Sequence, residues 1–248
     1  MGWIKYDGRL STDYDLVVET TPNYLTAEPN IEKISILGRN GDLLINNNTF
    51  KNRQQAYNIA AVKPTKDFNY LKRQIISWIS QSQDYVRIED SYDPTVYNMG
   101  IYTGAFQITN ISNQAARAQV IFECMPQHFL KMGDTPIHID GPTATRILAN
   151  PTGEITMPHI AIRATGKCNV QIGNYKVEIE GASDNRTIII NGQMPHIYTI
   201  HGPLIYTEKV RLINGFPKLI AGENEVSFAG VAGGSVRYVE VRPRWWTR

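Results

Sequence analysis

The chain has 248 residues, 42% hydrophobic and 19% charged, which is enough for one large core or two ordinary ones and excludes a disordered chain. Twenty-five Lys and Arg against 23 Asp and Glu leave a net charge of +2, so no global field points to nucleic acid as a partner. Thirteen Tyr, 19 Gly and 13 Pro, with few helical runs, favour an all-β fold.

The first residues, Met1 to Tyr6, lack the basic stretch and apolar run of a signal peptide. No apolar run approaches the ~20 residues that span a bilayer, so the expectation is a soluble protein, made in a cytoplasm, with no membrane insertion. Short strands are predicted near Trp3–Tyr6 and Leu16–Glu19, followed by a Thr-Thr-Pro-Asn loop. The segment from Ile31 to Val62 then organises the first half. It reads as a strand in which Ile34 and Ile36 face one way, a tight turn at Gly38-Arg39-Asn40-Gly41-Asp42, and a return strand carried by Leu43, Leu44 and Ile45. Asn40-Gly41 supplies two residues that tolerate positive φ, as a two-residue hairpin turn requires. Asn46-Asn47-Asn48 opens a turn-rich crossing into a strand at Ala56–Val62, where Tyr57, Ile59 and Ala61 share one face and after which Pro64 closes the run.

One helix is expected, over about residues 67–82. Asp67 caps it, and Leu71, Ile75, Trp78 and Ile79 form one apolar face at spacings of three and four. A single amphipathic helix among strands plugs one side of a sheet or barrel. Strands follow at Tyr85–Glu89, Val96–Tyr102, Ala105–Ile111 and Arg117–Cys124, with hairpin turns at Tyr102-Thr103-Gly104 and Ile111–Asn113. In the last strand Ala118, Val120, Phe122 and Cys124 face inward, and Met125-Pro126 ends the pattern. A Gly-, Pro- and Thr-rich stretch follows, so a domain boundary is placed near residue 135, giving domains 1–135 and 136–248. The second domain reads as six or seven short strands, among them His159–Arg163, Cys168–Ile172, Tyr175–Glu180, Thr187–Ile190, Glu225–Phe228 and Val236–Val241. Tight turns at Ile172-Gly173-Asn174-Tyr175 and Asn191-Gly192 suit an antiparallel sandwich.

Catalytic signatures are sparse. The five histidines (His128, His138, His159, His196, His201) form no HExxH, and no cysteine pair brackets them at zinc spacing, so no metal is expected. His196 and His201, five apart, read as surface or interface imidazoles. Gly166-Lys167-Cys168 resembles the end of a phosphate loop but lacks the Ser or Thr and leads into a strand. Loop carboxylates at Asp134, Asp140, Glu154, Asp184 and Glu223 are read as solvated groups rather than a glycosidase pair. Cys124 and Cys168 are read as buried free thiols. No cofactor and no enzymatic activity are expected. The C-terminal Arg244, Trp245 and Trp246 combine the residue types enriched at protein interfaces, and are taken as a candidate partner surface or a tail docked on its own domain, ahead of a nucleic-acid site.

A series of motifs in order resembles the siphophage distal tail proteins, the Dit family. It comprises Gly38-Arg39-Asn40-Gly41-Asp42, the helix Leu71–Ile79, Phe122-Glu123-Cys124-Met125-Pro126, Asn150-Pro151-Thr152, Met157-Pro158-His159-Ile160, Phe216-Pro217-Lys218-Leu219, Gly222-Glu223-Asn224 and Pro243-Arg244-Trp245-Trp246. The resemblance implies a one-helix N-terminal β domain that assembles into a homohexameric ring, single or stacked, and a C-terminal galectin-like β-sandwich facing outward. It implies a hub in the virion, at the distal end of a long non-contractile tail. The hub would join the major tail tube protein to receptor-binding or baseplate proteins and to a tail-associated fibre or lysin, with phage DNA only in transit through the bore. The chain has no room for the inserted carbohydrate-binding module of longer members. Under this reading Arg39, Asn40, Gly41 and Asp42 are turn-stabilising or inter-subunit contacts. The competing reading is an adhesin whose second domain binds cell-wall glycans; His159, Arg163 and Asn169 do not assemble the His, Asn, Arg and Trp pattern that galectin-type sugar sites resemble.

Overall fold

The computed structural model describes residues 2–62, 64, 67–104, 106–112, 115–141, 143–182, 186–200 and 209–248. It divides into two compact units, residues 1–128 with Arg248, and residues 129–247. The fold is all-β with one α-helix among the described residues.

The first unit contains β1 (Ile4–Tyr6), β2 (Arg9–Leu10), β3 (Leu16–Val18), β4 (Pro29–Ile34), β5 (Leu43–Phe50), β6 (Arg53–Val62), α1 (Phe68–Ile79), β7 (Val86–Asp90), β8 (Val96–Tyr102), β9 (Ile108–Ser112) and β10 (Ala115–Leu130). Its main sheet has the order β2-β1-β7-β8-β10-β6-β3, with β9 also on β10, while β4 and β5 form a separate two-stranded sheet. Period-two alternation sets the faces: Tyr57, Ile59 and Ala61 of β6 and Val120, Phe122 and Cys124 of β10 are buried together. In register, Val120 faces Tyr57 and Phe122 faces Gln55.

The helix closes this core. Asp67 accepts backbone N–H bonds from Asn69 and Tyr70 at 2.9 and 3.1 Å, satisfying two donors of the first turn. Leu71, Ile75, Trp78 and Ile79 are its buried face. The Trp78 indole N–H donates to the Tyr6 carbonyl at 3.2 Å, and its ring stacks on Tyr14. The helix ends at Ile79, short of the expected residue 82, where the Ser80 hydroxyl takes the Ile76 carbonyl.

The second unit holds β11 (Ile137–Asp140), β12 (Thr143–Asn150), β13 (His159–Ile172), β14 (Tyr175–Ala182), β15 (Thr187–Asn191), β16 (His196–Ile200), β17 (Val210–Ile213), β18 (Gly222–Arg242) and β19 (Trp246–Thr247). The sheet runs β11-β18-β13-β14-β17, with β12 on β18 and β15 between β13 and β16. Gly173-Asn174 is the two-residue turn expected, since Ile172 pairs with Tyr175. After Asn191 the connection is longer, because Asn191 pairs with His196. Both cysteines are free and buried.

Three expected strand ends are not ends. β10 continues through Met125 and Pro126 to Leu130; its last pair with β6 is Cys124 with Arg53, so the missing Pro126 N–H interrupts no bond on that side. His159–Arg163 and Cys168–Ile172 are one strand, carried past Gly166 by register shifts beside Arg163 and Thr165. Glu225–Phe228 and Val236–Val241 are likewise one strand, which makes an excursion at residues 230–234. There Ala232 and Gly233 take φ of +50° and +83°. A Cβ on Gly230 would collide with the Gly234 carbonyl, and one on Gly234 with the Lys167 backbone. Gly234→Ala is therefore expected to destabilise the protein by more than ~2 kcal/mol, while Gly153→Ala, which adds a methyl in open space, should stay within ~0.5 kcal/mol. Denaturant midpoints of the two variants check this, and a Gly234→Ala midpoint equal to that of Gly153→Ala contradicts it.

Candidate interaction surface

Sequence places eight large apolar side chains on β4, β5 and the loop between them, and six of these are exposed and belong to neither hydrophobic core among the described residues. Ile34, Ile36, Leu43, Leu44 and Ile45 are each more than a third exposed, and Leu37 is fully exposed. Ile34 pairs with Leu43, Lys33 with Leu44 and Glu32 with Ile45, so apolar residues occupy both faces of the ribbon. A lone two-stranded ribbon is marginal in water, and a contiguous exposed apolar patch marks an interaction site.

The tip differs from the two-residue turn expected at Asn40-Gly41. The ladder ends at Ile34 and Leu43, leaving residues 35–42 as a wide loop. Its turn spans Ile36 to Arg39, closed by the Arg39 N–H on the Ile36 carbonyl at 3.1 Å, with Gly38 at φ +81° in the third position. The side chains of Arg39, Asn40 and Asp42 are exposed and make no hydrogen bond or ion pair among the described residues. Glycine conformations hold the loop, Gly41 having φ +85°. The return strand also does not stop at Asn46. It continues to Phe50, with Asn48 at φ +54° and its N–H on the Asn46 side chain at 2.9 Å.

The root of the arm is tied down by polar groups inside the first unit. The inward phase of β6 continues backward from Tyr57 to Gln55 and Arg53, both buried. Arg53 donates to Gln55 at 3.2 Å and to Asn98, lies 3.2 Å from His128 Nδ1, and has no carboxylate in ion-pairing range among the described residues. Its Nε has no partner. Gln55 donates to the Asn23 carbonyl at 3.2 Å, and Tyr24 and Tyr57 each donate to the Asp90 carboxylate at 2.9 Å. Asp90 also accepts the N–H groups of Tyr92 and Asp93. The segment that leads into β4 is thus fastened to the main sheet at Asn23 and Tyr24. None of this was visible in the sequence; continuing the inward phase of β6 beyond Ala56 is the signal that finds it.

The C-terminal candidates separate. Trp245 is 3% exposed and belongs to the core of the second unit, so it offers no side-chain surface to a partner. Arg244, at φ +56°, donates its N–H to the Gly133 carbonyl at 2.8 Å and its guanidinium to Asn191 and Gln193. Trp246 is half-buried and donates its indole N–H to the Ile155 carbonyl at 3.1 Å. Among the described residues no three His, Cys, Asp or Glu side chains are grouped to hold a metal, and no helix is long and apolar enough to cross a membrane. His201, Asp184, Ala105 and Asn113 lie outside the described residues.

Burial and the neighbouring Arg53 push the His128 pKa down to about 4 from 6.5. Between those values the unfolded chain binds a proton that the folded one refuses, so stability falls as pH drops through this window and His128 contributes nothing above it. The full loss is up to ~3 kcal/mol. His128→Gln keeps an acceptor for Arg53 and should flatten this acid limb in thermal melts taken from neutral pH to pH 4; an equally steep limb in both proteins contradicts it.

Residues 14–124 match the family model of the phage tail protein RIFT-related domain. No curated protein sequence matches the chain at a significant level. Among solved structures, the chain superposes on the crystal structure of SPP1 Dit (gp 19.1), described as a paradigm of the hub adsorption apparatus in phages infecting Gram-positive bacteria. The TM-score is 0.70 at 15% identity, covering 97% of this chain and 98% of that one. At that identity the likeness shows a shared fold, and the family match covers the first unit from residue 14 to residue 124.

Proposed function

We propose that this chain is the hub of a siphophage tail tip, and that it closes into a hexameric ring through the β4–β5 arm of each subunit seated on the next. Similarity to a Dit hub protein supports the hub role, and the fold is that of a structural phage protein. The observation that carries the ring is the arm itself. Its six exposed apolar side chains and unpaired strand edges stand on a domain that matches a phage-tail model, outside both hydrophobic cores among the described residues. An arm on one face that meets a different surface of a second copy makes a head-to-tail contact, which closes into a ring when the rotation from copy to copy divides a full turn.

In this reading the first unit forms the ring, continuous with the tail tube, and DNA crosses its bore at ejection. The second unit is a galectin-like sandwich facing outward, where receptor-binding or baseplate proteins dock, and the distal side meets a tail-associated fibre or lysin. Assembly takes place in the host cytoplasm. Arg39 and Asp42, exposed at the tip, are polar contacts to the adjacent subunit rather than supports of the turn.

Light scattering of the purified protein is expected to give a mass near six times 28.0 kDa. Leu37→Asp/Leu44→Asp should reduce it to one subunit mass while each subunit keeps its fold and a cooperative melt, because neither side chain is in a core. A natural protein that stays monomeric at high concentration, or a double variant that keeps the ring, overturns the proposal.

A further inference from the structure

The chain contains three Asn-Gly pairs, Asn40-Gly41, Asn191-Gly192 and Asn214-Gly215. An Asn followed by Gly is the dipeptide most open to intramolecular attack, since no side chain shields the Gly nitrogen. In an unfolded chain the three are chemically alike. The fold makes them different.

Asn191 is held twice over. Its Oδ1 accepts from the N–H groups of Gln193 and Met194 and from the Arg244 guanidinium. The Gly192 N–H, which must lose its proton to react, donates to the Pro158 carbonyl at 3.0 Å. Gly192 is also packed against Pro158 and Met157, leaving no room to swing. Asn214 is held once: its side-chain nitrogen donates to the Asn174 carbonyl at 2.7 Å, while Gly215 stands in open space. Asn40 is held by nothing among the described residues. Its side chain and Gly41 are both exposed, neither takes part in a hydrogen bond, and nothing lies within 4 Å of a Cβ position on Gly41. They sit in an eight-residue loop whose backbone closure, Arg39 to Ile36, stops one residue before Asn40.

We propose that Asn40 is a site of spontaneous deamidation, and that the fold ranks the three pairs Asn40 before Asn214 before Asn191. The Gly41 nitrogen attacks Asn40 Cγ. The new C–N bond closes a succinimide, the Cγ–Nδ2 bond breaks, and ammonia leaves carrying the proton from the Gly41 nitrogen. Water then opens the ring at either carbonyl, giving Asp or isoaspartate at position 40. One neutral amide is exchanged for one carboxylate. The tip, where Arg39 and Asp42 now balance, gains a negative charge, and the isoaspartate product lengthens the backbone of the loop by one carbon. The arm thus carries a slow, irreversible change of charge in the loop that is its most exposed part.

The test is peptide mapping by mass spectrometry of protein aged in mildly alkaline buffer, following each amide-to-carboxylate conversion. It is run on the natural sequence and on Leu37→Asp/Leu44→Asp, so that the monomeric arm is sampled whether or not a ring forms. In the folded double variant Asn40 should convert about tenfold or more faster than Asn191, which reacts only through local opening, with Asn214 between them. In urea the three should convert at similar rates, and Asn40→Gln should remove the fast conversion alone. The proposal is overturned if Asn191 or Asn214 keeps pace with Asn40 in the folded protein. It is also overturned if Asn40 stays intact over a time in which the unfolded chain converts at all three positions.

Discussion

Arg53 is a cation folded into the interior with only neutral acceptors against it, and much of the first unit is arranged to make that tolerable. A buried charge is costly unless its hydrogen-bonding capacity is met. Gln55, Asn98 and His128 meet most of it, and His128 remains able to accept because it stays neutral. Gln55 then has its own amide nitrogen free for the Asn23 carbonyl. The nearby Asp90 carboxylate is satisfied by two phenols and two backbone N–H groups, and one of those phenols belongs to Tyr24. Solving the burial of one guanidinium therefore also clamps the strand-free segment from which the arm departs. The clamp at the root starts in β6, whose inward side changes from apolar to polar between Tyr57 and Gln55.

The parts of the fold that follow from local rules were legible in the sequence. The helix declared itself by its cap, Asp67, and by a four-residue apolar stripe, and its face is buried as the periodicity requires. The inward sets of β6 and β10 followed from alternation. What was not legible depended on partners distant in the chain. Pro126 and Gly166 are ordinary strand breakers, yet both lie within strands: Pro126 falls beyond the last pair of β10 with β6, where its missing N–H costs nothing on that side, and Gly166 is carried across by the ladders of β13 with β14 and β18. The same holds for Gly230 to Gly234 in β18.

The candidate surface divides in the same way. A ribbon with an Asn-Gly tip is readable from the sequence, but its turn lies three residues before Asn40-Gly41, because Gly38 sits at the corner. Arg53 and Gln55 were passed over because hydrophobic periodicity scores such residues as surface. Trp245 was read among the interface types, and its burial depends on Gly133, whose bare Cα lets the Trp245 backbone approach, a contact between residues far apart in sequence.

The crossing at Gly234 has a further consequence for how β13 and β18 find each other. Paired strands related by a slip of one residue exchange their two faces, so a wrong register here would turn Val236, Val239 and Val241 outward and bring Arg237 and Glu240 inside. Long ladders built on similar valine runs are where such errors are easiest. At the crossing, however, only a residue with no side chain fits over Lys167, and the next residue, Ser235, has one. A ladder shifted so that Ser235 takes this place would drive its Cβ into backbone. Gly234 thus screens out the slip that brings Ser235 to this place, while the opposite slip, which brings Gly233 there, is left for the hydrophobic faces to reject.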